Sequence, residues 1–207
     1  MNKSRIFGVV NGMSGNGKSY FIMNYLIPVL AKSKPVLVLD VTGEYEGKIY
    51  QDFDEFFRYV KTTGGIEKGV HVLRWKKQET AIRLIHFVRK MEVPVSLVLE
   101  EAHILFNDSE LHKAVKTPLR ELCFLGRHFA IDTILCSQRP ASLPPNVRSQ
   151  AQFFVSFKQK ERADIDYLRQ KSETAVKVAE LKQKQFFSIG EQPKGFSEIK
   201  INEVNQL

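Results

Sequence analysis

Short apolar runs punctuate the chain, separated by stretches long enough to hold a helix: RIFGVV at 5–10, PVLVLD at 35–40, GVHVLR at 69–74, VSLVLE at 95–100, DTILCS at 132–137 and AQFFVSF at 151–157. Their lengths and β-branched content predict strands. VLVL, LVL and TILC show no polar alternation, as expected of strands buried between two helical layers. The period changes in the intervening stretches. ETAIRLIHFVRK sets Ala81, Leu84, Ile85 and Val88 on one helical face. TPLRELCFLGRH predicts a helix with Thr117 as N-cap and Pro118 at its first position. Pro28 is expected to end or kink the helix in which it falls. Beyond residue 157 come charged helical stretches, then FFSI and FSEIKI, which predict a terminal hairpin at the sheet edge.

This alternation predicts an α/β fold: a mostly parallel, doubly wound sheet with helices on both faces and its site at the carboxyl edge. No repeat, low-complexity tract or Pro/Gly/Ser linker divides the 207 residues, so residues 1–207 are expected to form one domain. Lys and Arg number 31 against 23 Asp and Glu, a net charge of +8. That excess favours a polyanionic partner such as nucleic acid, and it equally suits a soluble surface. Cys123 and Cys136 are the only cysteines and lack metal-ligand spacing, which argues against a zinc site or a disulfide framework. No apolar run is long enough to span a bilayer and no signal-peptide core opens the chain. The expected compartment is the cytoplasm, a host's included.

The first candidate chemistry is Gly12-Met13-Ser14-Gly15-Asn16-Gly17-Lys18-Ser19, which fits the phosphate-loop pattern G-x-x-x-x-G-K-[ST]. It follows a predicted strand and precedes an apolar-periodic helix, as its mechanism requires, and Gly12 to Tyr20 are the expected nucleotide-binding residues. Glycines let the backbone approach phosphate, amides from Asn16 to Ser19 point at it, Lys18 reaches the β- and γ-phosphates, and the Ser19 hydroxyl holds Mg²⁺. ATP with Mg²⁺ is the expected ligand pair.

VSLVLEEAH, 95–103, ends a buried strand in two carboxylates. Glu100 suits Mg²⁺ coordination, directly or through water, and Glu101 suits polarising an attacking water. His103 reads as a helix or core residue. Asp40, in VLVLDVTGEYEG, either supports the Mg²⁺ water shell or caps the following turn, and Glu44 is equally open. Gln138, at the end of TILCSQRP, suits sensing the γ-phosphate or orienting the lytic water.

Taken in order and spacing, Gly12–Ser19, LDVTGEY, LVLEEAH and GRHFAIDTILCSQRP resemble the FtsK–HerA superfamily of DNA-pumping ATPases across about residues 5–157. The resemblance implies a RecA-like P-loop NTPase core, a homo-oligomeric, hexameric ring, and ATP hydrolysis coupled to non-specific translocation of double-stranded DNA. The bare motor, with no membrane span, N-terminal barrel or winged-helix module, looks most like the genome-packaging ATPases of tailless internal-membrane viruses with double-jelly-roll capsids. A capsid-vertex or membrane protein partner, and a location in the host cytoplasm or at a packaging vertex of the virion, would follow.

Ring ATPases of this kind use an arginine from the neighbouring subunit. Arg148, in PPNVRSQAQFFVSF, occupies a position resembling the family's trans-acting arginine, with Arg127 and Arg74 as alternatives, Arg74 beside Trp75. Arg139 is a further candidate. RWKKQE at 74–79 and FKQKER at 157–162 are the basic stretches suited to the DNA backbone, or to solvated helix caps. Competing readings are a nucleoside or nucleotide kinase and a plasmid, conjugation or phage-extrusion motor. A Glu–Glu pair prepared for water, and the lack of an arginine-rich lid, disfavour the kinase.

Overall fold

The computed structural model describes residues 5–91, 93–191, 193 and 199–207. Among the described residues nine strands form one sheet in the order β3-β4-β2-β5-β6-β1-β7-β8-β9. The predicted runs become β1 (Phe7–Asn11), β2 (Val36–Asp40), β4 (Val70–Arg74), β5 (Ser96–Leu99), β6 (Asp132–Ser137) and β7 (Phe153–Ser156). These six strands pair in parallel with one another, and their central members are buried throughout. The mostly parallel α/β architecture expected from the pattern is the one observed.

Side chains alternate between two hydrophobic clusters, one on each face of the sheet. The first cluster packs Leu37, Leu39, Leu97 and Leu99 against α3 (Phe53–Thr63), α4 (Gln78–Met91) and α6 (Ser109–Phe129). The second packs Val10, Val38, Val98 and Ile134 against the helical segment after the phosphate loop. That segment runs as α1 (Lys18–Phe21), a π-turn (Ile22–Leu26) and α2 (Ile27–Ala31). Pro28 therefore does not end the helix; its missing N–H is accommodated by the looser winding just before it.

The helix start expected at Thr117 is corrected. α6 begins at Ser109, where the Asp108 carboxylate accepts from the Leu111 amide at 2.9 Å, and Pro118 lies inside the helix. The apolar stripe Leu111, Val115, Leu119, Leu122 carries the helix through the proline. Proline leaves the Ala114 carbonyl without its intrahelical donor. The His86 ring nitrogen of α4 lies 2.9 Å from that oxygen and replaces the lost bond.

The terminal hairpin forms with a different second strand. β8 (Gln185–Gly190) contains FFSI and lies antiparallel to β7, but its partner is β9 (Val204–Gln206). Of FSEIKI, residues 199–201 are turn or irregular and 196–198 lie outside the described residues. The sequence reading missed β3 (Lys48–Tyr50) and α3. α3 is opened by Asp52, whose carboxylate accepts from the Glu55 amide, and closed by Gly64 in the left-handed region.

Candidate active site

Register assembles the site. Asn11 pairs with Ser137 between β1 and β6, and Leu99 with Leu135 between β5 and β6. The residues that follow these strands, Gly12, Gln138 and Glu100, therefore emerge together at the carboxyl edge. The Gly12 amide donates to the Ser137 and Gln138 carbonyls at 3.3 and 3.2 Å, and Ala102 donates to Cys136 at 2.7 Å.

Two glycines in the loop are required, Gly12 by space and backbone angle and Gly17 chiefly by its backbone angle. A Cβ on Gly12, at φ +148, would lie 2.4 Å from Phe157 Cβ; one on Gly17, at φ +108, would lie 2.8 Å from Leu207 Cδ1. Loop carbonyls are held both from outside and from within the loop. Gln183 Nε2 donates to Gly15 O at 3.1 Å, the Lys184 amide to Asn16 O at 3.2 Å, and Asn16 Nδ2 to Met13 O and Ser14 O at 3.3 and 3.1 Å. Lys18 Nζ folds back onto Met13 O at 3.2 Å. Tyr20 is exposed, with Lys184 Nζ 5.7 Å from its ring centre.

A cavity of about 230 Å³ joins Ser14, Gly15 and Gly17–Tyr20 to Thr42, Glu44, Glu100 and Glu101. Glu100 is almost wholly buried. Its Oε1 accepts from Ser19 Oγ at 3.3 Å, and its Oε2 from the Val41 and Thr42 amides at 3.0 and 3.1 Å. Burial pushes its carboxyl above the usual range, outweighing those donors. Ser19 and Glu100 offer the oxygen ligands that a hard divalent cation takes. Among the described residues no cluster of three His, Cys, Asp or Glu side chains could hold a metal alone. Mg²⁺ fits that pattern, because it binds through one or two protein oxygens plus substrate phosphates and water.

Glu101 stands at φ 45, in the left-handed region disfavoured for a side chain with a Cβ. Gln138 Nε2 donates to its Oε1 at 3.1 Å, and His103 Nδ1 lies 3.1 Å from its Oε2. The adjacent His103 ring, the Gln138 amide and the Lys18 charge hold its carboxyl below the usual range against burial. His103 does open a helix, α5 (His103–Asn107), as expected, and it also faces the glutamate.

Asp40 lies apart from this cavity. Its carboxylate is ion-paired with Arg74 and accepts from the Gly43 and Tyr45 amides at 2.8 and 3.3 Å, so it caps the turn after β2. Arg74 is committed to Asp40 and to the Tyr45 carbonyl at 3.4 Å. Arg148, on α7 (Pro145–Arg148), sits 3.9 Å over the Tyr167 ring and donates to Pro140 O at 3.4 Å. Arg139 pairs with Asp164 at 2.7 Å, and Arg127 is exposed near the end of α6.

Residues not singled out in the sequence also build the site. Thr42 Oγ1 reaches both Glu100 oxygens, at 3.3 and 3.1 Å. Buried Gln159 donates to Asn11 Oδ1 at 2.9 Å and to Gln138 O at 3.3 Å, tying the root of the phosphate loop to the Gln138 backbone. Thr42 lies within the DVTGEY motif and was legible there. Gln183, Lys184 and Leu207 reach the loop through the return of β8 and β9, which no local pattern announces.

A family model described as Zonular occludens toxin (Zot) matches residues 7–189. The chain belongs to the Zot family. It is also 38% identical over 80 residues to a probable DNA double-strand break repair helicase HerA of Methanocaldococcus jannaschii, a stretch covering 39% of this chain and 16% of that protein. Among solved structures it is similar to the genome packaging NTPase B204 of Sulfolobus turreted icosahedral virus 2. The AMP complex aligns with TM-score 0.67 and 23% identity over 100% of this chain and 98% of that one. The AMPPCP complex aligns with TM-score 0.64 and 25% identity over 91% and 93%. The P-loop NTPase fold and the FtsK–HerA resemblance read from the motifs both stand.

Proposed function

We propose that the chain hydrolyses ATP to drive double-stranded DNA through a homo-oligomeric, hexameric ring, and that its cargo is a viral genome entering a preformed capsid. The observation that carries this reading is the place of Glu101, which accepts from Gln138 at 3.1 Å, faces His103 and lines the cavity of the phosphate loop. A carboxylate so placed accepts a proton from water, which is a hydrolase arrangement. Lys18 exchanges its contact with Met13 O for the phosphates of the nucleotide. Ser19 and Glu100 would hold Mg²⁺, which would neutralise phosphate charge there. Glu101 takes the proton of the attacking water, and Gln138 orients that water or registers the γ-phosphate. An arginine of the neighbouring subunit, Arg148 or Arg127, completes the charge stabilisation.

The nucleic-acid part rests on the HerA and B204 likenesses and on the net charge of +8. RWKKQE and FKQKER leave the ends of β4 and β7, at the same carboxyl edge as the nucleotide site. The host cytoplasm or a packaging vertex is the corresponding location, with a capsid-vertex or membrane protein as stationary partner. The HerA stretch favours a second reading, a DNA motor serving repair or transfer instead of packaging.

Phosphate release measured with and without linear duplex DNA across a salt series, beside the mass of the oligomer, tests the proposal. DNA should stimulate turnover, and the stimulation should fall steeply with salt. A phosphorylated nucleoside or nucleotide product would instead establish the kinase. Stimulation by DNA without further stimulation by procapsids would favour the repair or transfer motor.

A further inference from the structure

On the sheet face opposite α1 and α2, a groove of about 790 Å³ runs between α3, α4 and α6, well over the volume at the phosphate loop. Its apolar wall is Phe53, Phe57, Phe87, Met91 and Pro118. Phe87 packs edge-on against Phe53 and Phe57, with ring centres 5.6 and 6.0 Å away, so the wall is fixed. A second hollow of about 390 Å³, beside Phe124 and Leu125, shares Thr117 and Glu121 with the first, making one continuous surface across α6. Met91 and Leu125, one on each hollow, are 40% and 42% exposed and extend the apolar wall to the surface.

Charge on this surface is unbalanced. Arg83 is neutralised by Asp54 and Glu79, and Arg89 by Glu121. Lys90 on the first hollow, and Lys116 and Arg120 on the second, have no side-chain ion pair or hydrogen bond among the described residues. A ligand for this surface must therefore bring large apolar side chains to the aromatic wall and carboxylates to the three cations.

We propose that this groove docks an acidic amphipathic segment of a partner protein, its apolar face in the Phe53–Phe57–Phe87–Met91 hollow and its carboxylates at Lys90, Lys116 and Arg120. Duplex DNA matches the cations and leaves the aromatic wall unfilled. A second copy of this chain would have to bring both carboxylates and large apolar side chains to this one surface, and self-association is therefore one outcome of the test. The inference stands independently of the ATPase reading, since the groove shares no residue with the nucleotide cavity.

The test is fluorescence anisotropy of the full chain with a short labelled peptide that places Leu and Phe at helical period and Glu elsewhere. A scrambled peptide of the same composition and a Lys-for-Glu version serve as controls. The acidic amphipathic peptide should bind, and K90E/K116E/R120E should weaken it about tenfold. M91E/L125E, at exposed positions, should weaken it as strongly while leaving the melting temperature and the ATPase rate as in the parent. Equal binding of the scrambled peptide, no binding at all, or unchanged affinity in both variants overturns the proposal. Displacement of the peptide by short duplex DNA would overturn it in favour of a nucleic-acid surface. Self-association of the parent that M91E/L125E abolishes would overturn it in favour of a second copy.

Discussion

Glu101 occupies a backbone conformation that its side chain opposes, at φ 45, directly after a buried strand. Such strain, of order 1–3 kcal/mol, persists where the surroundings impose it, and it concentrates at functional sites. The comparison of two truncations isolates it. E101A and E101G both lose the carboxylate, but only glycine adopts this φ freely, so E101G should be more stable than E101A by about 1 kcal/mol in urea unfolding. E101Q keeps the shape and should lower phosphate release by about 10²–10⁴-fold with nucleotide binding intact. The neighbouring Glu100 has the opposite bias. Burial makes the folded chain hold its proton more tightly than the unfolded chain does. Its contribution to stability is therefore present at pH below the unfolded carboxyl value and lost as pH rises through the higher folded value. E100Q should accordingly melt higher than the parent at neutral pH, with the gap closing on acidification, while losing Mg²⁺-dependent nucleotide binding. A lower melting temperature at neutral pH would mean that the Ser19, Val41 and Thr42 donors outweigh the burial.

Elements were legible where one pattern decided them. The parallel strands read plainly, because buried strands between two helical layers show short apolar runs without polar alternation. Their buried polar residues (Asn11, Asp40, Ser96, Asp132, Ser137 and Ser156 among them) fall mostly at strand ends, and the phosphate loop, Glu100–Glu101 and Gln138 followed from those ends. α6 was misread because a proline after a threonine resembles a helix start. The true start depends on Asp108, and the passage through Pro118 depends on His86 of α4, 28 positions before the Ala114 carbonyl that it meets. No local rule contains that contact. It does make a prediction. P118A restores a donor to Ala114 O and removes a helix-interior proline, so stability should rise by about 1–2 kcal/mol, less than the full proline penalty because the buried ring is lost. H86A should destabilise the parent by about 0.5–1 kcal/mol and be nearly neutral beside P118A, a non-additivity that a double-mutant cycle in urea would measure. Additive effects would remove the histidine from this role. β3 and β9, at three residues each, carry too little sequence to announce themselves and exist through pairing with β4 and β8.

At the scale of the molecule, the sheet gathers nucleotide chemistry and basic loops along one edge, while the arginines proposed to act between subunits differ in what they do within one. Arg148 is stacked on Tyr167, whereas Arg127 is exposed. Mixed rings separate the two roles: K18A with R127A, or K18A with R148A, should regain turnover only for the arginine that serves a neighbour's site, because some interfaces in the mixture are intact. R148A should in addition lose stability with the Tyr167 contact, about 0.5–1 kcal/mol. The basic edge is tested by salt. Lys76, Lys77 and Lys160 are exposed and leave the carboxyl ends of β4 and β7. If they meet the DNA backbone, K76A/K77A and K160A should lower the slope of log affinity against log salt by roughly one per phosphate contact removed, uniformly across DNA sequences. Turnover without DNA should stay at the parent rate. An unchanged slope would leave these lysines as solvated caps of the loops that carry them, and would move the DNA path off this edge of the sheet.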